Sequence, residues 1–435
     1  MSVSDIGKLK DMMRAAGAER LYVKKLSPND NSKNQPYFGG DFSALNILPF
    51  GEVHSETLGK VPNFKAAVEF YWLLDNGTLE HARHAQLILY PKYPEVRFSG
   101  FLKACRNAPN DLMNTRAEGR ILFLGVTGDG RIIGYATSGN TSLARSYRAL
   151  DNLPMVGVFD EVAIDTIRID TRSLLLSELR RIAGKGWIDS KRLIGPGEFG
   201  PCVAPHCGGM TLEAELGILP NGYSEPDFHG WEVKQHGVTN LDRPDSGVLT
   251  LMTPEPTAGF YREHGVTAFI RKYGYEDRTG REDRLNFGGV HRVGERQALT
   301  GLTMTLCGFD ATTGKIMDPS GGVVLMDDKG NNAAEWKFTG ILEHWKRKHA
   351  KAVYVPSVKN NPPLQYRYGN KIRLGVGTDP LKLLEAMALK SVYYDPGIKL
   401  ENASGPKPLC KRRSQFRVSV KNLNSLYEVM DSVVV

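Results

Sequence analysis

Two carboxylates and a lysine lie within residues 226–234, in an order that suits metal-assisted chemistry. In an extended strand the side chains alternate, so Glu232 and Lys234 face the same side. Asp227 follows a proline in a turn-forming pair, which brings its carboxylate close to Glu232. Two carboxylates can hold a hard divalent cation such as Mg²⁺, and a lysine beside them can orient water and offset phosphate charge. The pattern predicts hydrolysis of a phosphodiester.

A further acid precedes this stretch on a short predicted helix, which Leu212 and Leu216 would anchor through one face. From that helix the carboxylate of Glu213 could reach the metal. An acid in the first turn of a helix is also stabilised by the helix dipole without any function. Glu215 could be such an acid instead, because residues i and i+2 of a helix point in different directions. Spacing alone leaves the roles of Glu213 and Glu215 open.

Residues 327–337 contain a second set of acids and lysines with similar spacing. Glu335 and Lys337 would also share one face of a strand, with Asp327 and Asp328 upstream. This set lacks the preceding Pro-Asp pair and the upstream helical acid, and Gly330-Asn331-Asn332 indicates a hairpin turn. The spacing favours the set at 226–234.

The elements that must position these residues fall into two parts. Residues 20–160 show short strand patterns, among them 20–24, 85–90 and a hairpin over 120–135, with predicted helices at 6–16 and 64–74. From residue 172 a helical pattern runs to 183, and strand patterns follow at 247–252, 323–326, 351–356 and 415–420. We therefore expect a multidomain chain, with a mainly-β domain over 1–164 and an α/β domain over 165–435.

Composition excludes several classes of protein. The chain has 435 residues, 41% hydrophobic and 24% charged, which allows two folded domains. No apolar run approaches the roughly 18 to 20 residues that cross a bilayer. The first residues, 1–5, carry no apolar signal core, so export is not expected. The 56 basic and 48 acidic residues leave a net charge of +8. That surplus suits a polyanion such as nucleic acid, although many soluble proteins are mildly basic without such a partner.

Two smaller motifs carry little weight. Cys202 and Cys207 flank His206, but no second ligand pair lies nearby, so zinc binding is weakly indicated. The five scattered cysteines argue against a secreted disulfide scaffold. Gly128-Asp129-Gly130 has no phosphate-loop context, so no nucleotide cofactor is expected.

From about residue 180 to 435 the sequence resembles the MvaI/BcnI family of restriction endonucleases, which share a fold with the mismatch-repair nickase MutH. The matching motifs are residues 186–192 (GWIDSKR), 211–213 (TLE), 226–234 (PDFHGWEVK), 249–257 (LTLMTPEPT) and 271–274 (RKYG). The resemblance implies a PD-(D/E)xK, MutH-like fold with Glu213, Asp227, Glu232 and Lys234 as catalytic residues. It also implies that the three acids hold Mg²⁺, for which Mn²⁺ can substitute.

Residues 411–417 (KRRSQFR) resemble a segment that reads bases in this family. An arginine can bond bidentately to the major-groove edge of guanine. Without the resemblance, a solvated basic strand edge would be the simpler interpretation. The DNA contacts expected in this domain are Arg417, Arg413, Arg412, Lys411, Lys399, Asp395 and Tyr394.

Near the N-terminus, residues 21–30 (LYVKKLSPND) resemble the start of the EcoRII-type effector domain, a DNA-binding pseudobarrel. That resemblance implies DNA contacts from Lys24, Lys25, Ser27, Asn29 and Asp30. A second arm over 97–116 is inferred from charge and position only, and an ordinary exposed basic loop is the alternative. Its candidate contacts are Arg97, Lys103, Arg106, Asn114 and Arg116.

Together the resemblances imply a cytoplasmic, prokaryotic type II restriction endonuclease that acts as a monomer on double-stranded DNA. No membrane partner is expected. The expected target is CC-W-GG, where W is A or T, with CC-S-GG, where S is G or C, left open. Two alternatives are a MutH-like repair nickase and a catalytically silent, sequence-specific DNA-binding regulator. The intact set of three acids and a lysine argues against the regulator.

Overall fold

The computed structural model of the chain describes residues 3–28, 35–57, 61–164, 170–219, 226–345 and 349–435. The chain divides into two compact units, Met1–Ile169 and Asp170–Val435. The boundary expected at residue 165 lies outside the described residues. No helix in the described ranges combines the length and apolar character needed to cross a membrane.

The first unit consists mainly of strands, in a seven-stranded sheet ordered β10-β11-β1-β8-β9-β4-β5 and a four-stranded sheet ordered β2-β3-β6-β7. Its helices are α1 (Ile6–Ala15), α2 (Asn110–Asn114) and α3 (Ser142–Arg148), with a 3₁₀ turn at Ser43–Asn46. Its strands are β1 (Ala18–Lys25), β2 (Val53–Glu56), β3 (Asn63–Ala67), β4 (Phe70–Leu73), β5 (Leu79–His81), β6 (Gln86–Tyr90), β7 (Glu95–Ser99), β8 (Ile121–Thr127), β9 (Ile132–Thr137), β10 (Met155–Val156) and β11 (Phe159–Val162).

Most expected elements of this unit are present. The Asp5 carboxylate accepts a hydrogen bond from the Lys8 amide and caps α1, and α1 buries Leu9 and Met13 against the larger sheet. β8 and β9 form the expected antiparallel hairpin. The helix expected at 64–74 is wrong, because β3 and β4 occupy this stretch. Buried side chains recur there at every second position, as at Phe70 and Trp72, which is the periodicity of a strand.

The second unit mixes helices and strands, as the sequence predicts. Its helices are α4 (Thr171–Gly184), α5 (Cys207–Glu215), α6 (Phe260–Tyr273), α7 (Phe338–Trp345) and α8 (Pro380–Ala388), with a 3₁₀ helix at Val420–Leu426. Its strands are β12 (Ile188–Asp189), β13 (Lys191–Gly195), β14 (Glu198–Pro201), β15 (Glu232–Gly237), β16 (Val248–Met252), β17 (Tyr275–Glu276), β18 (Arg284–Gly288), β19 (Thr303–Cys307), β20 (Phe309–Asp310), β21 (Lys315–Ile316), β22 (Gly322–Met326), β23 (Asn332–Lys337), β24 (Lys351–Asn360), β25 (Gln365–Tyr368), β26 (Lys371–Val376), β27 (Val392–Tyr394), β28 (Gly397–Glu401), β29 (Leu409–Lys411), β30 (Phe416–Ser419) and β31 (Val429–Val434).

The central sheet of the second unit runs in the order β12-β25-β24-β26-β31, with β15 parallel to β24. β24 is the long strand of this sheet and is buried along most of its length. Because Glu232 pairs with Ala352 at the start of β15, the predicted acidic strand is fixed in register against the core. A separate three-stranded sheet, β16-β30-β27, carries Arg417, while Lys411 ends β29 in the sheet β17-β18-β28-β29.

The predicted helix at 172–183 is confirmed as α4, which begins after Asp170. The Asp170 carboxylate accepts hydrogen bonds from the Arg172 and Ser173 amides. The predicted strands at 247–252, 323–326, 351–356 and 415–420 are confirmed as β16, β22, β24 and β30, with small differences at their ends.

Candidate active site

Asp227, Glu232 and Lys234 come together at the start of β15. The Val233 amide donates a hydrogen bond to the Asp227 carboxylate at 3.0 Å. The Lys234 Nζ atom lies 2.7 Å from Glu232 Oε1, and only 3% of the Glu232 side chain is exposed. Two carboxylates and one ammonium group therefore occupy one locus, as the strand alternation predicts.

A tight turn brings Asp227 to the strand. The Phe228 amide donates to the Trp231 carbonyl at 2.9 Å, and the Trp231 amide donates to the Phe228 carbonyl at 2.8 Å. Between them His229 and Gly230 adopt left-handed backbone angles, with φ of 45° and 86°. The chain reverses within these residues, so Asp227 lies beside the strand that begins at Glu232.

Glu215, rather than Glu213, has a structural role on α5. The Glu215 side chain is 3% exposed, and its carboxylate lies 2.7 Å from Lys185 Nζ, 2.6 Å from Lys191 Nζ and 3.6 Å from Arg181. Burial acts to raise the pKa of Glu215, but the two lysines outweigh it and the pKa is lowered. This carboxylate joins α5 to α4 and β13.

Glu213 is half-buried on α5, which packs against β13 and β15. The Tyr368 hydroxyl holds the helix by donating to the Gly208 carbonyl at 2.7 Å, and Thr211 Oγ1 donates to the Lys191 carbonyl at 3.1 Å. In the part of the chain that the structure describes, no three His, Cys, Asp or Glu side chains form one metal-binding group. The structure therefore holds Asp227 against the backbone of the strand that carries Glu232, and it does not bring Glu213 into one three-acid group with them.

His349 is a buried neighbour that sequence reasoning missed. Its ring stacks on Trp345 at 4.2 Å, and Nε2 lies 3.3 Å from the Leu251 carbonyl oxygen. Burial, with a smaller contribution from Lys234, lowers the pKa of His349 to about 4, while Glu232 acts in the opposite direction. This histidine is therefore neutral at pH 7, and its packing and hydrogen bonds join α7 to the end of β16 near the site. A single histidine before a strand gives no sequence signal for that role.

The second acidic set, at residues 327–337, belongs to a hairpin between β22 and β23. The Asp327 carboxylate accepts hydrogen bonds from the Lys329 and Asn331 amides. Asp328 makes two contacts of 2.7 Å with Arg296, and Glu335 accepts a bond from the Asn332 side chain at 2.6 Å. These acids stabilise a turn and its neighbours, which favours the set at 226–234 as the candidate site.

Arg417 lies in the middle strand of its sheet, opposite Thr250 of β16 and Tyr393 of β27. Its Nη1 atom donates to the Asp395 carboxylate at 2.6 Å, and both side chains are partly exposed. The Asp395 amide in turn donates to the Gln415 carbonyl at 2.9 Å. The structure brings the predicted pair Arg417 and Asp395 into direct contact.

The remaining predicted DNA contacts of this unit divide into exposed and buried residues. Lys399, Lys411, Arg412 and Arg413 are exposed, and Lys411 Nζ lies 3.2 Å from the Glu401 carboxylate. Tyr394 is only 1% exposed and packs against Trp336 and Phe416. Tyr394 is a core residue, so its expected DNA contact is wrong for this structure.

Three predicted contacts of the first unit converge on one cleft. Lys24, Ser27 and Arg97 line a cavity of about 250 Å³ together with Tyr37 and Arg120. The guanidinium of Arg97 lies 5.1 Å from the Tyr37 ring centre and also pairs with a glutamate. Burial lowers the pKa of Lys24.

Arg120 was missed by sequence reasoning because it lies within a strand-like apolar run. It is 1% exposed and donates to four carbonyls, those of Ser27, Leu112, Met113 and Ala117. Arg120 therefore joins the first predicted arm to the end of the second.

The other predicted residues of this unit lie away from that cleft. Lys25 pairs with Asp160 at 3.0 Å, and the Arg106 amide donates to Glu80. Lys103, Arg106, Asn114 and Arg116 are exposed. Asn29 and Asp30 lie outside the described residues.

Cys202 and Cys207 form a disulfide between β14 and the start of α5. Their sulfur atoms are bonded to each other, so they do not act as thiolate ligands, and the zinc interpretation loses its basis. Cys105, Cys307 and Cys410 are free thiols.

The family comparison agrees with the resemblance seen over residues 180–435 and does not extend to the N-terminal resemblance. The sequence pattern of the MvaI/BcnI restriction endonuclease family matches residues 176–427, more than half of the chain. No curated protein matches significantly. Two solved structures of the restriction endonuclease MvaI are similar over 62% of this chain and 100% of theirs. The complex with cognate DNA is 17% identical with a TM-score of 0.45, and the form without DNA is 18% identical with a TM-score of 0.35.

Proposed function

The chain belongs to the MvaI/BcnI restriction endonuclease family, and we propose that it is a type II restriction endonuclease that cuts double-stranded DNA with Mg²⁺. The observation that carries this proposal is the convergence of Asp227, Glu232 and Lys234 at the start of β15. A buried lysine–glutamate pair has structural roles in many proteins. Here a second carboxylate is held beside it by a dedicated turn, which is the donor set that hydrolysis of a phosphodiester requires.

The donor set fits a hard divalent cation. Mg²⁺ takes oxygen ligands, commonly one or two carboxylates with water and phosphate oxygens in the other positions. Asp227 and Glu232 would hold the ion, and Glu213, which does not form one group with them in this structure, is the third candidate ligand. When bound, the ion supplies Lewis-acid polarisation of the phosphate and acidifies a bound water.

Lys234 and Glu232 prepare the protein side of the reaction. The 2.7 Å contact holds the ammonium group next to the carboxylate pair, so its charge is already in place where the phosphate would enter. The low exposure of Glu232 limits competition from bulk water. Lys234 would orient the attacking water and offset charge on the phosphate in the transition state.

The proposed target is CC-W-GG, with CC-S-GG as the other five-base-pair candidate. The resemblance of residues 411–417 to a base-reading segment supports this assignment. Arg417 is the main candidate reader of guanine, and Arg413 is the next. The exposed residues Lys399, Lys411 and Arg412 would contact DNA through charge.

We assign the first unit a role as an EcoRII-type recognition or effector domain that binds a related site. The cleft shared by Lys24, Ser27 and Arg97 supports that role. This arrangement of domains resembles the two-domain restriction endonuclease UbaLAI. Members of the MvaI/BcnI family typically act as monomers, so one catalytic set would cut one strand and then the other.

Incubation of the purified protein with plasmid DNA and Mg²⁺, followed by sequencing of the cut ends, tests the proposal. We expect linear products with ends at one short palindrome, no products with a chelator, and none from Glu232→Ala. Nicked circles as the only product would support a MutH-like nickase instead. Specific DNA binding without any cleavage would support a silent regulator.

A further inference from the structure

One tyrosine of the second unit connects the positions of two arginines. The Arg292 guanidinium carbon is 5.0 Å from the centre of the Tyr393 ring. Arg417 is the cross-strand partner of the same tyrosine, in the register of β27 with β30. Tyr393 is 8% exposed, so its ring is a fixed platform for Arg292, next to the strand position of Arg417. Sequence reasoning singled out Arg417 and gave no signal for Arg292.

Arg292 is attached to a rigid part of the fold. The residue before it, His291, exchanges two backbone hydrogen bonds with Tyr394, at 2.8 and 3.0 Å. The His291 ring is fully buried, with contacts of 2.9 Å to the Gly289 carbonyl and to Thr300 Oγ1. The backbone of Arg292 is therefore fixed beside β27, which reduces the entropy that its side chain would lose on binding a ligand.

Among the described residues Arg292 has no ion-pair partner, and Glu295 acts on it only at longer range. Arg417 is paired with Asp395 at 2.6 Å. Glu295, three positions after Arg292, is held by Lys390 Nζ at 2.9 Å. Across the described ranges, no carboxylate lies within ion-pair distance of Arg292. An arginine stacked on an aromatic ring keeps the edge of its planar fork available for a bidentate acceptor.

We propose that Arg292 is a second base-reading arginine, which contacts the guanine next to the one read by Arg417. This inference rests on the proposed function, in which Arg417 reads a guanine of the target. Each strand of the proposed CC-W-GG site ends in two adjacent guanines. Arg292 on the Tyr393 ring and Arg417 on the paired strand provide one bidentate donor for each of them.

The test uses the full-length protein with Mg²⁺ and short cognate duplexes in which 7-deazaguanine replaces one of the two guanines. This base lacks the N7 acceptor that a bidentate arginine needs. The unmodified protein should lose cleavage rate with either substituted duplex. Arg292→Ala should lower kcat/KM on the normal duplex by roughly 10- to 100-fold. The kcat/KM of this variant should not fall further when 7-deazaguanine replaces the guanine that Arg292 reads.

The Arg417→Ala variant should likewise show no further loss of cleavage rate when 7-deazaguanine stands at the other guanine position. Arg292→Lys should behave like Arg292→Ala, because a lysine lacks the planar fork, and it is the second variant if the alanine form does not fold. Arg296→Ala is the matched control. Arg296 lies in the same loop and is already paired with Asp328 at 2.7 Å. The Arg296→Ala variant should lose cleavage rate with both substituted duplexes, as the unmodified protein does.

The inference is overturned if Arg292→Ala remains sensitive to 7-deazaguanine at both positions, or if it loses nothing relative to Arg296→Ala. If Arg417→Ala also remains sensitive at both positions, the proposed base reading itself fails. Arg417→Ala can become insensitive to 7-deazaguanine at one guanine while Arg292→Ala stays sensitive at the other. In that case only the proposed role of Arg292 is wrong.

Discussion

The Asp227 carboxylate accepts a hydrogen bond from the Val233 amide at 3.0 Å, which fixes a turn residue to the strand that carries Glu232 and Lys234. Val233 itself faces the core and is 6% exposed. The hydrogen bond therefore connects the candidate metal ligand to a rigid, buried backbone. A site built in this way has its charges positioned before any substrate arrives.

Asp227→Ala or Glu232→Ala should lower cleavage by at least about 10²- to 10³-fold, the loss typical of removing one electrostatic element of a site. Binding of cognate DNA should persist, because a carboxylate near phosphate does not favour association. Cleavage assays and gel shifts on the same preparations measure both properties.

Glu335→Ala is the control for that prediction, since Glu335 belongs to the hairpin acids. If Glu335→Ala abolishes cleavage and Glu232→Ala does not, the active site is assigned to the wrong acids. Loss of both binding and cleavage in Glu232→Ala would indicate a structural role.

Arg417→Ala should reduce discrimination between the cognate site and a site with one changed guanine by about 1 to 3 kcal/mol. The reason is that a bidentate contact distinguishes guanine from the other bases. Lys411→Ala should instead weaken binding to all duplexes alike and reduce the salt slope by about 1. Affinity measured across a salt series separates these effects. An equal loss of affinity for cognate and random DNA in Arg417→Ala would make Arg417 a phosphate contact.

Glu215→Gln should lower the free energy of unfolding by about 2 kcal/mol, since a charged group with three cationic partners is lost. The effect should be below the roughly 3 to 5 kcal/mol of a fully buried pair, because the cations remain partly in water. Urea denaturation of both proteins measures the difference. Glu178→Gln, which removes a surface partner of Arg181, should cost less than about 1 kcal/mol.

The same residue predicts a pH dependence of stability. The pKa of Glu215 is lower in the folded chain than the ordinary value of 4.5. Its contribution is therefore complete above about pH 4.5 and is lost as the pH falls through the folded value. The difference between the original protein and Glu215→Gln should shrink over that acidic range. A difference that stays constant as the pH falls would contradict the assignment.

We expect each unit, expressed as a separate fragment, to keep its own activity. A fragment of residues 170–435 should still cut specific sites, more slowly or with a changed dependence on the number of sites, because it contains the candidate catalytic residues. A fragment of residues 1–169 should bind duplex DNA with sequence preference and should not cut it. Gel shifts with cognate and scrambled duplexes test the second fragment. Equal affinities that fall together with salt would make it a non-specific anchor.

Local patterns were sufficient where a single periodicity applied. The alternation of Glu232 and Lys234 predicts their common face, and the cap at Asp170 predicts the start of α4. The stretch at 64–74 was predicted wrongly, since apolar residues at mixed spacing suit both a helix and a pair of strands. Packing in the sheet selected the strands.

The sequence by itself determined which residue types could do chemistry and which of them share a strand, because side-chain alternation is a property of the local backbone. Only the tertiary structure decided the structural role of Glu215, since the cations that surround Glu215 come from Arg181, Lys185 and Lys191 on other elements. It also placed Tyr394 in the core and Arg292 on the ring of Tyr393, the cross-strand partner of Arg417. These relationships join residues far apart in the chain, and no local pattern encodes which distant side chains will meet.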